Sequence, residues 1–449
     1  MININGLKIG IIGAVRSGVA AAKLAKRKGG IPFVSDSGNE EKLKTNILEL
    51  QKEEISFEIG GHTDKLFESD LIVTSPGVPT DSEVIVKAIE KGKKVISEIE
   101  FAYLFNESTI IGITGTNGKT TTTSLMSHLL VESGYKVVTA GNIGIAFSDV
   151  VDSIGADGYS VLELSSFQLD FIDTFKPDYA LLLNITPDHL NRYENKFENY
   201  IASKFKIALN QDSSDVFVFN ATDEVILRNL PSLKSQQYGF SHNEKLINGA
   251  YHKDGKIYFS EFGNAEEVCS SAALSIKGEH NLMNALAVTV VAKKLNIEND
   301  KIENAFSTFQ NVEHRLEFVR EINGVKFIND SKATNVFSVY YALRSFKEPI
   351  RLILGGRDKG NDYSEIENEV LKRVTKIYAI GESAEKVKRY FSEKVTAEIC
   401  DSFEDAIKRA LKDSAKGDVV LLSPACASFD MFSDYEERGK EFKRIVNDL

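Results

Sequence analysis

Short runs of β-branched and aliphatic residues alternate with longer amphipathic stretches along almost the whole chain. That alternation marks parallel strands joined by crossover helices. Leu7–Ile12 reads as a strand, Ser17–Lys28 as a helix and Pro32–Ser35 as the next strand, with strand-like runs again at Leu71–Thr74 and Lys94–Ile96. A second series opens at Thr109–Ile113, continues as a helix over Lys119–Glu132, and adds strands at Lys136–Ala140, Tyr159–Glu163 and Tyr179–Asn184. A third has strands at Arg351–Leu354, Lys376–Ile380 and Val419–Leu422, with helices at Ala384–Phe391, Phe403–Lys412 and Glu436–Val446. Between Leu233 and Ile276 the pattern weakens, and runs such as Lys256–Phe259 suggest small antiparallel strands on the edge of the middle series. The restarts predict three domains, residues 1–97, 98–312 and 313–449, joined near Ser97 and Val312.

The 449-residue length agrees with three domains at about 150 residues each. With 54 Lys+Arg against 65 Asp+Glu the net charge is −11, which disfavours nucleic acid or an anionic membrane as partner. Cys269, Cys400 and Cys426 lie far apart with no CxxC, which suits a reducing compartment and offers no thiolate metal cage. Leu7–Val15 holds Lys8 and two glycines, so it reads as a strand and not as a signal peptide. The expectation is a soluble cytoplasmic protein.

The chemistry concentrates after the strand Thr109–Ile113. There Thr114 precedes Gly115-Thr116-Asn117-Gly118-Lys119-Thr120-Thr121, and a helix follows at once. Glycines let backbone N–H groups turn toward phosphate oxygens, and the helix N-terminus adds partial positive charge. Lys119 can reach the β- and γ-phosphates, and the Thr120 hydroxyl can join a Mg²⁺ shell. Ile113 stands where the strict GxxxxGK[ST] pattern has its first glycine. A guanine reader is missing, since Asn195-Lys196-Phe197-Glu198 has the wrong acid and no preceding strand, so ATP is favoured over GTP. Glu163 ends a strand and can hold the nucleotide's Mg²⁺. Asp188 and His189 follow another apolar strand and emerge at the same sheet edge. By its neighbours alone, Lys204 reads as a surface lysine on a helix, and Cys426 as packing.

The run Gly115–Thr121, the strand-end Glu163-Leu164-Ser165-Ser166-Phe167-Gln168, Asp188-His189, His280-Asn281 with Asn284, His314-Arg315 and Asp330-Ser331-Lys332-Ala333-Thr334-Asn335 together resemble the Mur ligases. These are ATP-dependent amide ligases of peptidoglycan precursor synthesis, and the likeness spans nearly the whole chain in one order. The family's loop is similar to TGTNGK[ST], which accounts for Ile113. Ser423-Pro424-Ala425-Cys426-Ala427-Ser428-Phe429-Asp430 most resembles the branch that adds D-glutamate. The alanine-adding branch usually has His where Asn117 stands, and the Asn-Pro-Arg motif of the diaminopimelate-adding branch is not found.

The resemblance implies an α/β protein of three domains. The first is Rossmann-like, the second a P-loop ATPase-type, mostly parallel sheet with a small antiparallel edge sheet, and the third Rossmann-like. It implies ATP as substrate with two Mg²⁺ sites, one held by Thr120 and Glu163, the other near His189 and Lys204. In similar ligases the lysine matching Lys204 is carbamylated. Lys119, His189 and Lys204 are the implied catalytic residues. The implied ATP contacts are Gly115, Thr116, Asn117, Gly118, Lys119, Thr120, Thr121, Asn142, Asn284, Arg315, Asp330 and Lys332, with the C-terminal domain closing on the nucleotide. The chemistry implied is an acyl phosphate followed by amine attack through a tetrahedral intermediate.

The implied acceptor is UDP-MurNAc-L-alanine. Its nucleotide end falls to Ala14, Val15, Asp36 and Ser37, its sugar–pyrophosphate part to Ser75, Pro76 and Gly77, and Gln168 also contacts it. Read for a dinucleotide fingerprint, Gly10-Ile11-Ile12-Gly13-Ala14-Val15-Arg16-Ser17-Gly18 has the wrong glycine spacing, although the acid Asp36 is present. The implied D-glutamate contacts are Thr334, Lys359, Ser428 and Tyr435, the last standing where phenylalanine is common. A monomer is expected. Three other readings stay open here. A folylpolyglutamate synthetase-like enzyme would keep its phosphate loop near the chain start. A mechanical or regulatory ATPase would hydrolyse ATP without the acceptor, and a redox module would bind nicotinamide.

Overall fold

The computed structural model describes residues 3–310, 313–358 and 360–449. The chain forms two compact units, Met1–Ser275 with Leu282–Phe309, and Ile276–Asn281 with Gln310–Leu449. The join expected at Val312 lies outside the described residues.

The first unit holds two sheets. In the first, β1 (Lys8–Ile12), β2 (Ile31–Asp36), β3 (Ser56–Ile59), β4 (Leu71–Thr74) and β5 (Val95–Ser97) are all parallel, in the order β3-β2-β1-β4-β5. The helix Arg16–Arg27 lies close over this sheet because its buried face is built from Gly18, Ala20, Ala21, Ala22 and Ala25. A Cβ on Gly18 would lie 1.8 Å from the Gly13 carbonyl oxygen, so no larger residue fits that crossing.

The second sheet comprises β6 (Thr109–Thr114), β7 (Lys136–Gly141), β8 (Gly158–Glu163), β9 (Tyr179–Leu182), β10 (Val216–Asn220), β11 (Gln236–Ser241), β12 (Gly249–Lys253), β13 (Lys256–Glu261) and β14 (Asn264–Ser270). Its order is β14-β13-β12-β11-β10-β9-β6-β8-β7. β6 runs between β8 and β9, so the loop after it leaves the sheet where chain direction along the order reverses, the usual place for a ligand in such sheets. The antiparallel edge expected between Leu233 and Ile276 is present only from β12 onward. β11 pairs in parallel with both neighbours, and the antiparallel strands continue the same sheet at its edge, as the sequence pattern predicts.

The two sheets share a core. Ile9, Leu24 and Ile96 belong to one buried cluster with Phe101, Phe147 and Leu162. Polar ties reinforce it: Arg16 donates to the Gly144 carbonyl at 2.6 Å, and buried Glu100 accepts from the backbone N–H groups of Asp173, Thr174 and Phe175.

The second unit carries β15 (Glu317–Ile322), β16 (Val325–Asn329), β17 (Ile350–Gly355), β18 (Val374–Ile380), β19 (Ala397–Ile399) and β20 (Val419–Leu422), ordered β15-β16-β20-β17-β18-β19. All pairs are parallel except the β15–β16 hairpin. Its two faces bury separate clusters, one around Leu352, Val339 and Phe391, the other around Ile353, Phe327 and Phe442. Among the described residues no helix is long and apolar enough to cross a membrane.

Candidate functional site

Gly118 caps the helix Lys119–Glu132 with φ +85°, which delivers the helix N-terminus to the end of β6. The loop is splinted by Asn184, whose Oδ1 accepts from Asn117 N at 2.8 Å and whose Nδ2 donates to Asn117 O at 2.9 Å. Thr116 N donates to Asn184 O at 3.0 Å. Asn284 stands against the turn, since a Cβ on Gly118 would meet its Oδ1 at 2.6 Å. The Thr121 hydroxyl is buried and has no hydrogen-bond partner among the described residues.

Two lysines converge on one oxygen. Lys119 Nζ donates to the carbonyls of Gly115 and Thr116, each at 2.8 Å, and Lys204 Nζ donates to the same Gly115 oxygen at 2.8 Å. Lys204 is only 1% exposed, which overturns its reading as a surface lysine: its helix, Phe197–Phe205, turns it inward beneath the loop. Its ammonium sits over the Tyr200 ring, 4.5 Å from the centroid, and the Tyr200 hydroxyl lies 3.2 Å from Thr116 Oγ1. Burial, then the Lys119 charge, pushes the Lys204 pKa well below the usual lysine range, against the pull of Asp188 and Asp170. Two lysine amines on one carbonyl raise the cost of charging both, which a polyanion at the loop would relieve.

Beside them the Thr120 hydroxyl donates to Glu163 Oε2 at 2.7 Å, and Asn142 Nδ2 donates to Oε1 at 2.9 Å. A hydroxyl and a carboxylate at a helix N-terminus are the oxygen donors Mg²⁺ takes. Among the described residues no three His, Cys, Asp or Glu side chains gather to hold a metal by themselves. The donor set therefore fits a Mg²⁺ that keeps water and phosphate oxygens in its shell, not an all-protein cage.

His189 has left-handed backbone (φ 53°), and its Nε2 lies 3.6 Å from Asp188 Oδ2. Its ring meets Phe167 edge-on at 5.1 Å. Arg192 lies over the Phe167 ring, 4.3 Å from its centroid, and donates to the carbonyls of Pro76, Gly77 and Val78. Arg192 and Asn184 support the candidate site and are not singled out from sequence, although both flank the Asp188-His189 motif. Gln168 Oε1 accepts from Ser165 N, closing a capping box on a short helix.

At the carboxyl ends of the first sheet's strands is a cavity of about 370 Å³ lined by Asp36, Ser37, His62, Gly77, Ser82 and Glu83, among others. Asp36 is fixed by two backbone donors, Ala14 N and Gly38 N, each at 2.6 Å. The Ser75 and Ser82 hydroxyls are buried without hydrogen-bond partners among the described residues. Val15 is 57% exposed and stands at the start of the helix Arg16–Arg27.

In the second unit Asp330 is buried at the end of β16, accepting from Ser423 Oγ at 2.8 Å and Leu316 N at 3.2 Å. Burial pushes its pKa up to about 7, against the charges of Arg315 and Arg438. His280 is held down to about 4 by burial and by Arg315. Lys332 Nζ lies 5.1 Å from the centroid of the Tyr435 ring, and Thr334 N donates to Lys332 O. The Ser428 carbonyl accepts from Met431 N and Phe432 N. Lys359 lies outside the described residues. Arg438, also missed from sequence, is fully buried and ties two motifs together: it donates to Ser331 Oγ and O and to Cys426 O. Cys426 is buried, its Sγ accepting from Asn361 Nδ2 at 3.2 Å, and burial raises its thiol pKa, so it packs and does not attack.

Three family models match the chain: the MurD N-terminal domain over residues 8–84, the Mur ligase middle domain over 113–292, and the Mur ligase, glutamate ligase domain over 314–426. The chain is 46% identical to the UDP-N-acetylmuramoylalanine–D-glutamate ligase of Christiangramia forsetii, covering 99% of this chain and 100% of that one. It is 44% identical to the enzyme of the same name from Bacteroides fragilis, over 98% and 100%. Among solved structures it is similar in fold to a pseudomurein peptide ligase type C from Methanothermus fervidus (TM-score 0.62, 21% identity, covering 99% and 100%). The UDP-N-acetylmuramate-alanine ligase of Thermotoga maritima is also similar (TM-score 0.61, 19% identity, covering 98% and 99%).

Proposed function

The chain belongs to the Mur ligase family, and from that premise we propose that it joins D-glutamate to UDP-N-acetylmuramoyl-L-alanine with ATP in the cytoplasm. The observation that carries the reading is the convergence of Lys119 and buried Lys204 on Gly115 O, at the N-terminus of a helix and next to the Thr120–Glu163 pair. That is a receptacle for a triphosphate, set on a chain that matches named D-glutamate ligases end to end.

Amide formation from a carboxylate is uphill until an oxygen becomes a leaving group. A carboxylate oxygen of the acceptor attacks the γ-phosphorus, the bond to the ADP oxygen breaks, and an acyl phosphate results. The D-glutamate amine then attacks the acyl carbon, loses a proton, and phosphate leaves from the tetrahedral intermediate. Most of the acceleration is positioning and charge neutralisation. Lys119 exchanges its loop carbonyls for phosphate oxygens, and the loop N–H groups orient them. Thr120 and Glu163 would hold Mg²⁺, which supplies positive charge against the β- and γ-phosphates. A second such ion would fall near His189 and Lys204. In that role Lys204 would be a carbamate, an oxygen donor where an ammonium would repel the ion. Asn142 and Asn284 suit the donor–acceptor edge of adenine. The cavity of the first sheet takes the UDP end, and Thr334, Ser428 and Tyr435, with Lys359, take D-glutamate.

The test is phosphate release with UDP-N-acetylmuramoyl-L-alanine and ATP while single L- and D-amino acids are varied. Release coupled to a new peptide bond is expected with D-glutamate and not with L-glutamate. Release that ignores the acceptor would overturn the reading in favour of a plain ATPase.

A further inference from the structure

His62 lines the cavity of the first sheet next to Asp36 and Glu83, and neither the motifs nor the mechanism gives it work. Its Nδ1 lies 2.7 Å from Ser35 Oγ, and Ser35 Oγ lies 2.6 Å from Glu58 Oε1. Ser35 is fully buried at the end of β2. Glu58, on β3, also accepts from Thr63 N at 2.9 Å and from the Thr63 hydroxyl at 2.5 Å. Burial pushes the Glu58 carboxyl up, but the hydrogen bonds from Ser35 and Thr63 outweigh it and the net shift is downward. At neutral pH the group is a carboxylate and can only accept.

A hydroxyl has one hydrogen to give. Ser35 points it at Glu58, the Gly61 carbonyl at 3.4 Å being the longer alternative. Toward His62 it has only a lone pair to offer, so the hydrogen between the two belongs to Nδ1. Burial lowers the ring's pKa below the ordinary histidine value, opposed by the charges of Asp36, Glu58 and Glu83. The ring is thus neutral at pH 7.5 with Nε2 bare, and Nε2 makes no hydrogen bond among the described residues. The carboxylates of Asp36 and Glu83, which line the same cavity, repel phosphate and favour a donor.

We propose that the Glu58–Ser35–His62 ladder fixes the tautomer of His62 and presents Nε2 as a hydrogen-bond acceptor to the uridine of the UDP-linked substrate, making His62 a specificity-determining contact. This rests on the assignment of the cavity to the UDP end. The ligand group is an N–H or O–H donor, either the imide of the base or a ribose hydroxyl.

In protein labelled with ¹⁵N-histidine, the His62 signals, identified by their loss in His62→Gln, should show a protonated Nδ1 and a bare Nε2 at pH 7.5. The Nε2 signal should shift when UDP-N-acetylmuramoyl-L-alanine is added. Calorimetric Kd for that ligand, measured without ATP, should weaken about three- to tenfold in His62→Leu, and less in His62→Gln. KM for the UDP substrate should rise in His62→Leu while those for ATP and D-glutamate hold. Lowering the pH to 5 should weaken wild-type binding more than His62→Leu binding, because a protonated Nε2 opposes the ligand's donor. Analogues carrying 3-methyluracil or 2′-deoxyribose separate the two donors: the analogue whose penalty vanishes in His62→Leu lacks the group that His62 contacts. An Nε2–H tautomer, or an unmoved Nε2 signal with ligand bound, overturns the proposal while the UDP assignment stands. Failure of the wild type to bind the ligand at all overturns the assignment and the contact together.

Discussion

Lys204 is surrounded by a carbonyl, an aromatic face and another cation, with the charges of Asp188 and Asp170 only partly opposing its loss of charge. Its suppressed ammonium is the precondition for carbamate formation, in which a neutral amine adds CO₂ and releases a proton. We expect CO₂-stripped buffer to lower kcat and bicarbonate to restore it. Lys204→Ala should lose activity on the order of a hundredfold and recover part of it with formate or acetate. Activity indifferent to CO₂, with no carbamate signal in ¹³C spectra, would remove the carbamate. Glu98 is a second residue whose burial is legible as a pH effect. It is 1% exposed, accepts from Ser148 N at 2.6 Å, and burial pushes it up to about 7, with Asp149 adding and Ser148 and Arg16 opposing. A folded pKa above the unfolded one means that its stability contribution is intact in acid and declines as pH rises toward 7. Glu98→Gln should therefore be more stable than wild type at pH 8, by up to about 3 kcal/mol, with a smaller gain at pH 5. Urea denaturation at the two pH values checks this, and an equal gain at both would argue against it. The residues that the sequence singles out and the fold brings together at the loop are those whose chemistry fixes type and spacing, such as Lys119 and Thr120. Arg438 and Asn184 act across 107 and 67 residues of chain, and no local pattern announces such partners.

The helix Lys119–Glu132 shows how an element carries function, because its N-terminus, not its side-chain face, is the working part. Gly118 and Gly134 both have positive φ, at 85° and 90°, yet a Cβ on Gly134 would meet open space while one on Gly118 would strike Asn284. Both alanine variants should lose about 1–2 kcal/mol from backbone strain. Only Gly118→Ala should also weaken ATP binding, by tenfold or more in a nucleotide titration; equal Kd values in the two variants would show that the turn is not part of the nucleotide site. At this scale the sequence reads well where strands are buried on both faces, as in β6 and β20. It reads poorly for β15, which alternates half-buried with exposed residues, although Asn323-Gly324, both at positive φ, marks its hairpin turn. The three-residue β19 is too short to show a period.

At the scale of the whole molecule, the distribution of cores decides how the chain melts. The first and second sheets share one buried cluster, in which Phe101 and Phe105 from the segment after β5 join Ile9 and Phe147, so these two sheets should unfold together. The third sheet closes its own clusters on both faces, within the second compact unit. Reading domain joins from restarts of the strand–helix pattern cannot see this, because a restart marks topology and not where apolar surface is shared. Calorimetry should accordingly show two transitions, the larger enthalpy belonging to the unit of about 300 residues, since unfolding enthalpy scales with chain length. UDP-N-acetylmuramoyl-L-alanine, assigned to the first sheet's cavity, should raise that larger transition: at a hundredfold excess over Kd the linkage is about 2.7 kcal/mol. D-Glutamate, whose assigned contacts Thr334, Ser428 and Tyr435 are all in the second unit, should move the smaller one. One cooperative transition, shifted alike by both ligands, would mean that the cores are energetically one.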